Sequence, residues 1–216
     1  MILARDLTVH HPDGRLRLQV DHFEAAPGAV TAVLGAAGSG KTTLLRALCL
    51  LDPAEASVHM VNQVDALRSP SRARRSVGFV ADRGNDVGSD SVVEHLGLHA
   101  AVCGAPRGTV EGLLELTDLE AVATRSVRRL SPGERKRLDL ARVLLHDPAV
   151  LFLDEPCASL DAPGRRDLQE LCAELARLGR TVVVSARVAS DLGDRWQRQV
   201  LLDRGRVADR SAGGER

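Results

Sequence analysis

A glycine-rich segment, residues 35–42, has the residue types and the spacing needed to hold a phosphate group. It reads Gly35-Ala36-Ala37-Gly38-Ser39-Gly40-Lys41-Thr42 and fits the pattern G-x-x-x-x-G-K-[ST]. Its glycines let successive backbone N–H groups point at one anion, and a helix starting at Lys41 would add partial positive charge. The pattern predicts a phosphate loop in which Lys41 reaches the β- and γ-phosphates of a nucleotide and the Thr42 hydroxyl binds Mg²⁺.

Two adjacent carboxylates, Asp154 and Glu155, form a second chemical feature. They follow the apolar run Val150-Leu151-Phe152-Leu153, which is typical of a strand buried on both faces. Such a strand would bring both carboxylates to the edge of the sheet where the phosphates bind. We expect Asp154 to bind Mg²⁺ through water and Glu155 to polarise the water that attacks the γ-phosphate. The alternative is a solvated acidic turn before Pro156, which the presence of the phosphate loop disfavours.

A third feature, Leu130-Ser131-Pro132-Gly133-Glu134, precedes a helix predicted over residues 133–146. Ser131 and Glu134 form an S-x-x-E capping box, and Pro132 suits the first helical position. By itself this pattern predicts only a well-capped helix start. Its place, one helix and a short turn ahead of the acidic strand, suggests a further role. Residues 130–134 are called the signature segment below.

Strands and helices alternate around these features. Strands are predicted over residues 2–9, 16–23, 29–34, 76–81, 150–153, 181–185, 200–202 and 207–208. Helices are predicted over residues 41–51, 91–103, 109–116, 119–124, 133–146, 163–178 and 188–194, and a basic loop over residues 68–76. The pattern predicts an α/β fold of the P-loop NTPase type, with a mostly parallel central sheet, N-terminal antiparallel strands and a helical insert. We expect one domain over residues 1–216, with a nucleotide-binding core at 1–81 and 130–216 and a helical subdomain at 82–129.

The composition excludes several classes of protein. Lys plus Arg and Asp plus Glu both number 29, so the formal net charge is zero, which disfavours binding to nucleic acid through bulk charge. The apolar runs are far shorter than the roughly 18 residues of a membrane span, and the N-terminal residues do not form a secretory signal. The four cysteines lack C-x-x-C spacing and are expected to be reduced thiols, mostly buried. These features predict a soluble intracellular protein.

The three motifs and their order resemble the ATP-binding cassette (ABC) ATPases. The signature segment is similar to the family's L-S-G-G-Q sequence, with a Pro and a Glu in place of a Gly and the Gln, and Ala158-Ser159-Leu160-Asp161 is similar to its S-A-L-D loop. The resemblance implies that two cassettes pair head to tail around two ATP molecules. It implies that Ser131 and the Gly133 backbone bind the γ-phosphate of the partner's ATP, and that Asp161 contacts the opposite subunit. The ATP-contacting set implied in this way is Gly35, Ala36, Ala37, Gly38, Ser39, Gly40, Lys41, Thr42, Thr43, His11, Ser131, Gly133 and Asp161.

Three further positions depart from the family pattern. The residue that stacks on adenine is normally aromatic, and here the position falls on His11 or, by another alignment, His10, in a chain that contains no Tyr. The family's Gln that touches Mg²⁺ and the attacking water is replaced by Asp82, which is either a metal ligand or a turn residue. The family's His after the strand at 181–185 is replaced by Arg187 or, with a one-residue shift, Ala186. Arg187 can bind the γ-phosphate as a fixed cation, but it cannot shuttle a proton.

The resemblance also implies a function. It implies a catalytic set of Glu155, Lys41 and Arg187 and a Mg²⁺ set of Thr42, Asp154 and Asp82, with ATP as the nucleotide. The expected protein hydrolyses ATP to power an ABC transporter, pairs with a second ABC ATPase subunit and docks through residues 82–128 on a separate transmembrane permease, with no nucleic acid partner. It would lie in the cytoplasm, peripheral on the inner face of the cell membrane. The alternatives are a cassette that binds ATP but hydrolyses it poorly beside an intact partner, and a soluble ABC ATPase outside transport.

Overall fold

A mixed β-sheet forms the framework of the chain. The computed structural model describes residues 1–82 and 90–212. The strands in these ranges are β1 (Ile2–His10), β2 (Leu16–Ala25), β3 (Val30–Leu34), β4 (Val58–Val61), β5 (Val64–Asp65), β6 (Val77–Val80), β7 (Val150–Leu153), β8 (Thr181–Ala186), β9 (Arg198–Asp203) and β10 (Arg206–Ala212). Within the described residues they form one sheet in the order β5-β4-β1-β2-β10-β9-β3-β8-β7-β6.

The parallel part of the sheet positions the chemical features. Strands β3, β8, β7 and β6 lie side by side and parallel, and β9 is parallel to β3 on its other side. Leu34 pairs with Ala186, and Leu153 pairs with both Val80 and Val184. Strands β3, β7 and β8 are buried along their whole length, as their Val- and Leu-rich sequences predict. Because the four strands are in register, the segments after residues 34, 80, 153 and 186 emerge next to one another at one edge.

Antiparallel strands extend the sheet beyond β2. Strands β1 and β2 form the predicted hairpin, and β4 and β5 are added on the other side of β1. The sequence does not predict β4 and β5, because β4 is four residues long and includes His59, and β5 has only two residues. The C-terminal hairpin of β9 and β10 is confirmed and is longer than predicted.

The α-helices of the described residues are α1 (Lys41–Leu48), α2 (Pro70–Arg74), α3 (Val92–Cys103), α4 (Thr109–Leu116), α5 (Pro132–Leu144) and α6 (Ala162–Arg177). The prediction of a loop over residues 68–76 is wrong at α2, where Pro70 starts a short helix that buries Ala73. The helices predicted over 119–124 and 188–194 are three-residue 3₁₀ turns at Glu120–Val122 and Ala189–Asp191. Gly193, whose φ of 63° lies in the left-handed region, prevents the second from continuing.

Two apolar cores lie on opposite faces of the sheet. On one face, Leu151 and Leu153 of β7 join side chains of α3, α5 and α6. On the other face, Val150 and Phe152 join the leucines of α1 and the inward side chains of β1 and β2. This alternation is that of a strand buried on both faces. Phe23 and Phe152 are almost fully buried in the second core, so two of the chain's scarce aromatic residues serve packing.

The segment between β6 and α5 is helical where the structure describes it. Residues 90–131 contain α3, α4 and the 3₁₀ turns Glu120–Val122 and Val127–Arg129, and one isolated bridge pairs Ser91 with Ser126. The division of the chain into a core and a helical subdomain at 82–129 stays a prediction. Among the helices that the structure describes, none combines the length and the apolar character needed to cross a membrane. All four cysteines are free thiols, of which Cys103 is exposed and the other three are buried, as expected.

Candidate nucleotide-binding site

The phosphate loop connects the end of β3 to the start of α1, as the sequence predicts. A Cβ at Gly35 would overlap the backbone carbonyl of Leu202, because β9 passes directly beside this residue. Gly38 and Gly40 have φ values of 76° and 106°, which favour glycine. Among the described residues, the buried Ser39 hydroxyl has no hydrogen-bond partner. A buried unsatisfied donor in a loop of this shape fits a bound phosphate group.

Lys41, the first residue of α1, points its ammonium at the loop and at the acidic strand together. The residue is only 4% exposed. Its Nζ donates to the carbonyl oxygens of Gly35 at 2.8 Å and Ala36 at 3.0 Å. The same atom lies 3.0 Å from Glu155 Oε1. The ammonium is a compact charge with three donors, so it is suited to contact phosphate oxygens at this point.

Asp154 is held by a hydroxyl group on each of its carboxylate oxygens. Thr42 Oγ1 donates to Asp154 Oδ2 at 2.7 Å, and Ser185 Oγ donates to Asp154 Oδ1 at 2.7 Å. Ser185 Oγ also accepts from the backbone N–H of Glu155 at 2.9 Å. Ser185 is fully buried in β8 and was not among the predicted site residues. The signal that could have identified it is a polar residue near the carboxyl end of an otherwise apolar strand.

The adjacent Thr42 hydroxyl and Asp154 carboxylate fit a Mg²⁺ ion. Mg²⁺ binds through one or two carboxylates together with phosphate oxygens and water, and both side chains offer hard oxygen ligands. Within residues 1–82 and 90–212, no group of three or more His, Cys, Asp or Glu side chains could hold a metal ion alone. Asp82, the third predicted ligand, is an exposed residue two positions after β6. The end of β6 lies beside Asp154, because the Val80 carbonyl accepts from the backbone N–H of Asp154 at 2.9 Å.

Glu155 has an unusual backbone conformation and two cationic neighbours. Its φ of 41° lies in the left-handed region, which is uncommon for a residue other than glycine and clusters at functional sites. Arg187 Nε lies 2.9 Å from Oε2, while Lys41 occupies Oε1. Burial disfavours the charged carboxylate, but the hydrogen bonds and the positive charges of Lys41 and Arg187 together outweigh burial and lower the pKa of Glu155. The carboxylate is thus ionised and ion-paired.

Of the two alignments left open for the His position, the structure brings Arg187 to the site. Ala186 is the buried last residue of β8, whereas Arg187 follows the strand and reaches Glu155. The Arg187 side chain is 61% exposed. Arg187 and Ala186 line, together with Ser185 and Arg165, a small pocket of about 240 Å³ beside the Glu155 carboxylate.

The signature segment forms the start of α5 through the predicted capping box. The Ser131 hydroxyl accepts from the backbone N–H of Glu134 at 3.2 Å, and Glu134 Oε2 accepts from the backbone N–H of Ser131 at 2.7 Å. The hydrogen bond from the Ser131 backbone is the largest cause of the lowered pKa of Glu134, and Arg125 adds an ion pair at 3.0 Å. Gly133 has open space around its Cα. The helix start is therefore well formed and accessible.

Asp161 lies in the same groove as the signature segment. Ser131, Gly133 and Asp161 line a groove of about 390 Å³, and none of its lining residues belongs to the phosphate loop. The Asp161 side chain caps α6 by accepting from the backbone N–H of Gly164 at 3.0 Å. Apart from His11 and Asp82, the predicted site residues thus fall into two groups, one around Lys41 and one in this groove.

His11 lies in the turn between β1 and β2. Its backbone N–H donates to the Arg15 carbonyl at 2.8 Å, and its side chain is exposed. The neighbouring strand β2 approaches the phosphate loop through Gly205, whose N–H donates to the Ser39 carbonyl and whose carbonyl accepts from the Gln19 N–H. The hairpin therefore approaches the site from the β2 side, and the stacking role of His11 stays a prediction.

Comparison with known proteins identifies the family of this chain. The sequence profile of the ABC transporter family matches residues 18–158. The lipoprotein-releasing system ATP-binding protein LolD 1 of Rhodopirellula baltica is 31% identical over an alignment of 226 positions, which covers 99% of each chain. The daunorubicin resistance ATP-binding protein DrrA3 of Streptomyces coeruleorubidus is 34% identical over 189 residues, which cover 86% of this chain and 60% of DrrA3. This chain therefore spans less than two thirds of some curated relatives.

The fold is that of solved ABC ATPase cassettes. The structure matches cbiO1 of Clostridium perfringens, part of the ABC transporter complex cbiONQ, with a TM-score of 0.89 and 26% identity over 98% of this chain and 88% of cbiO1. The sequence profile covers well over half of the 216 residues. The chain belongs to the ABC transporter family, as one of its ATP-binding cassettes.

Proposed function

We propose that this chain binds ATP with Mg²⁺ and hydrolyses it as the nucleotide-binding subunit of an ABC transporter. The observation that supports this most directly is the 3.0 Å approach of Lys41 Nζ to Glu155 Oε1. At this contact, a cation suited to bind phosphate lies next to the carboxylate that is expected to activate water. The Thr42–Asp154 pair, also at the carboxyl edge of the sheet, adds the ligands expected for the metal ion.

Each residue around Lys41 has a distinct part in the proposed reaction. The N–H groups of the phosphate loop and Lys41 bind the β- and γ-phosphates. Mg²⁺, held by Thr42 and Asp154, would stabilise negative charge on the phosphoryl oxygens. Glu155 orients the attacking water and accepts its proton. To do so it must exchange its contacts with Lys41 and Arg187 for water, and the γ-phosphate favours this exchange because it offers both cations another anion.

The second group of residues acts, in this proposal, on the ATP of a partner cassette. Ser131 and Gly133 stand at the accessible start of α5, where the helix dipole favours an anion. Asp161 lies in the same groove, where a second chain would dock. Two chains placed head to tail would therefore close on two ATP molecules. Hydrolysis of the ATP would let the two chains separate again.

The transmembrane partner and the location of the chain follow from the same proposal. The relative cbiO1 is part of a transporter complex. Helix α3, within the region expected to dock, exposes the apolar side chains Leu98 and Val102 one helical turn apart. We infer that this surface contacts a separate permease, so that the chain lies on the inner face of the cell membrane. No nucleic acid partner is expected.

ATP turnover by the purified chain tests the proposal. Glu155→Gln should reduce kcat by about 10²–10⁴-fold while ATP binding persists, because the amide cannot accept the proton. Glu170→Gln on α6 is the matched control, since Glu170 is a half-exposed carboxylate that pairs with the surface residues Arg177 and Arg195. Lys41→Ala should abolish ATP binding measured by calorimetry. Unchanged turnover in Glu155→Gln would refute the proposed role of this carboxylate.

The Arg187–Glu155 ion pair favours a second candidate function, that of a cassette which binds ATP but hydrolyses it poorly beside an intact partner. Both Glu155 oxygens are held by cations, which leaves the carboxylate less available to water. In that case the chain alone would bind ATP with negligible turnover. Turnover would appear only when a second, different cassette is added.

A further inference from the structure

Lys136 is a buried cation outside the predicted site. Only 5% of this α5 residue is exposed. Its Nζ donates to the backbone carbonyls of Ala81 at 2.9 Å and Asp82 at 2.8 Å. Burial lowers the pKa of the ammonium, while the carboxylates of Asp139, Asp82 and Asp154 oppose this effect. An apolar side chain of similar length would fill the same space without the cost of burying a charge, so the cation points to a role beyond packing.

The two carbonyls that Lys136 holds belong to the edge of the sheet where the metal ion is expected. Residues 81 and 82 directly follow β6, which is parallel to β7. The Val80 carbonyl accepts from the backbone N–H of Asp154, so the end of β6 lies beside the backbone of Asp154. Lys136 therefore fixes the backbone of the predicted metal ligand Asp82 from the side of α5.

Helix α5 also packs closely against β6, at the strand residues that precede Ala81. A Cβ at Gly78 would overlap the Val143 side chain, so the helix lies as close to the strand as the chain permits. Further along, His146 Nε2 is 3.1 Å from the Val77 carbonyl. The same helix is continuous up to the capped Ser131. The signature segment and Lys136 therefore belong to one continuous helix that is anchored on β6.

We propose that Lys136 is a positioning residue. It links the signature segment of this chain to residue 82, which lies at the edge of the same chain's sheet where the metal ion is expected. When the partner's ATP binds at Ser131 and Gly133, α5 and the ammonium of Lys136 set the position of Asp82. The inference rests on the proposed function, since it requires ATP hydrolysis in a pair of cassettes. It accounts for a buried cation that the reaction itself does not use.

The test compares Lys136→Met with the matched control Arg72→Met, which removes a positive charge from an exposed residue of α2. Methionine keeps the apolar stem but cannot donate to the two carbonyls. We expect Lys136→Met to lower kcat by about tenfold or more, to leave the KM for ATP within about twofold and to raise the Mg²⁺ concentration needed for half-maximal turnover. Lys136→Arg, which keeps a cationic donor, should recover part of kcat, and Arg72→Met should match the wild type.

A merely structural lysine would change the thermal unfolding midpoint of Lys136→Met without this separation of kcat from KM, and that result would overturn the proposal. Equal kcat values in Lys136→Met and the wild type would also overturn it. Absence of ATP turnover in the wild type would refute the proposed function itself. If Lys136→Met does not fold, Lys136→Gln is measured instead. The shorter amide side chain reaches at most one of the two carbonyls, so kcat of this variant should be reduced. An unchanged kcat in Lys136→Gln would again overturn the proposal.

Discussion

We predict that the ion pair between Arg187 and Glu155 makes the rate of ATP hydrolysis depend on residue 187. Arg187 Nε holds one carboxylate oxygen at 2.9 Å, and Lys41 holds the other at 3.0 Å. Arg187→His replaces the guanidinium with a shorter ring that is mostly uncharged at neutral pH. The ring still offers the γ-phosphate a donor, but it no longer competes with water for Glu155. We therefore expect turnover to rise in this variant.

The size of the rise follows from the exposure of the ion pair. The Arg187 side chain is 61% exposed, so water and salt screen its attraction to Glu155. A screened pair of this kind contributes about 0.2–1 kcal/mol, which corresponds to a roughly 1.4- to fivefold change in the fraction of free carboxylate. We expect kcat to rise by that factor. If Arg187 instead stabilises charge in the transition state, kcat would fall by about 10²–10³-fold. The two roles differ in sign.

Steady-state ATP turnover at saturating Mg²⁺-ATP measures the effect directly. Arg195→His is the matched control, since Arg195 is also an exposed arginine in an ion pair, with Glu170 at 2.6 Å. The control should leave kcat unchanged, and thermal unfolding should show that both variants are folded. A tenfold or larger fall of kcat in Arg187→His, with the control unchanged, would refute the reasoning and assign Arg187 to the transition state.

Three further predictions concern the residues around the acidic strand. Gly35→Ala should abolish ATP binding in calorimetry, because its Cβ would overlap the Leu202 carbonyl and displace the loop; retained affinity would contradict this packing. Ser185→Ala removes a hydroxyl bond to a charged carboxylate, worth about 1.5–3 kcal/mol, and should lower the thermal midpoint and weaken Mg²⁺ activation; normal Mg²⁺ activation would contradict the role given to Ser185. The lowered pKa of Glu155 adds stability above its ordinary pKa of 4.5, which is lost as the pH falls through the folded value. The wild type should therefore lose more thermal stability on acidification than Glu155→Gln, and parallel pH curves would contradict the ion pairs.

The strands that carry the site could be predicted because their sequences are apolar without interruption. Strands β3 and β7 were predicted to within one residue, since buried parallel strands must be apolar on both faces. The phosphate loop was predictable for a related reason, because its glycines are needed where the backbone comes close to β9. Strands β4 and β5 were missed because such short segments present no regular alternation.

The roles of Ser185 and Lys136 were not predictable, because they depend on which elements become neighbours. Ser185 reaches Asp154 only because β8 lies between β3 and β7, an order that the chain does not follow in sequence. Lys136 reaches the end of β6 only because α5 packs on that strand at Gly78. Single polar residues in apolar elements carry no periodic signal, so their partners become visible only in the assembled sheet.

Two of the departures from the family pattern, Asp82 and Arg187, change the charge near Asp154 and Glu155. Where the family resemblance implies a Gln and a His, this chain has Asp82 and Arg187, so one negative and one positive charge are added and the sum is unchanged. The added cation is paired with Glu155, and the backbone of Asp82 is held by the buried ammonium of Lys136. Each new charge thus has an opposite charge in its surroundings, Glu155 for Arg187 and Lys136 for Asp82. We therefore expect the departure at Arg187 to act on how freely Glu155 meets water, and much less on whether the nucleotide binds.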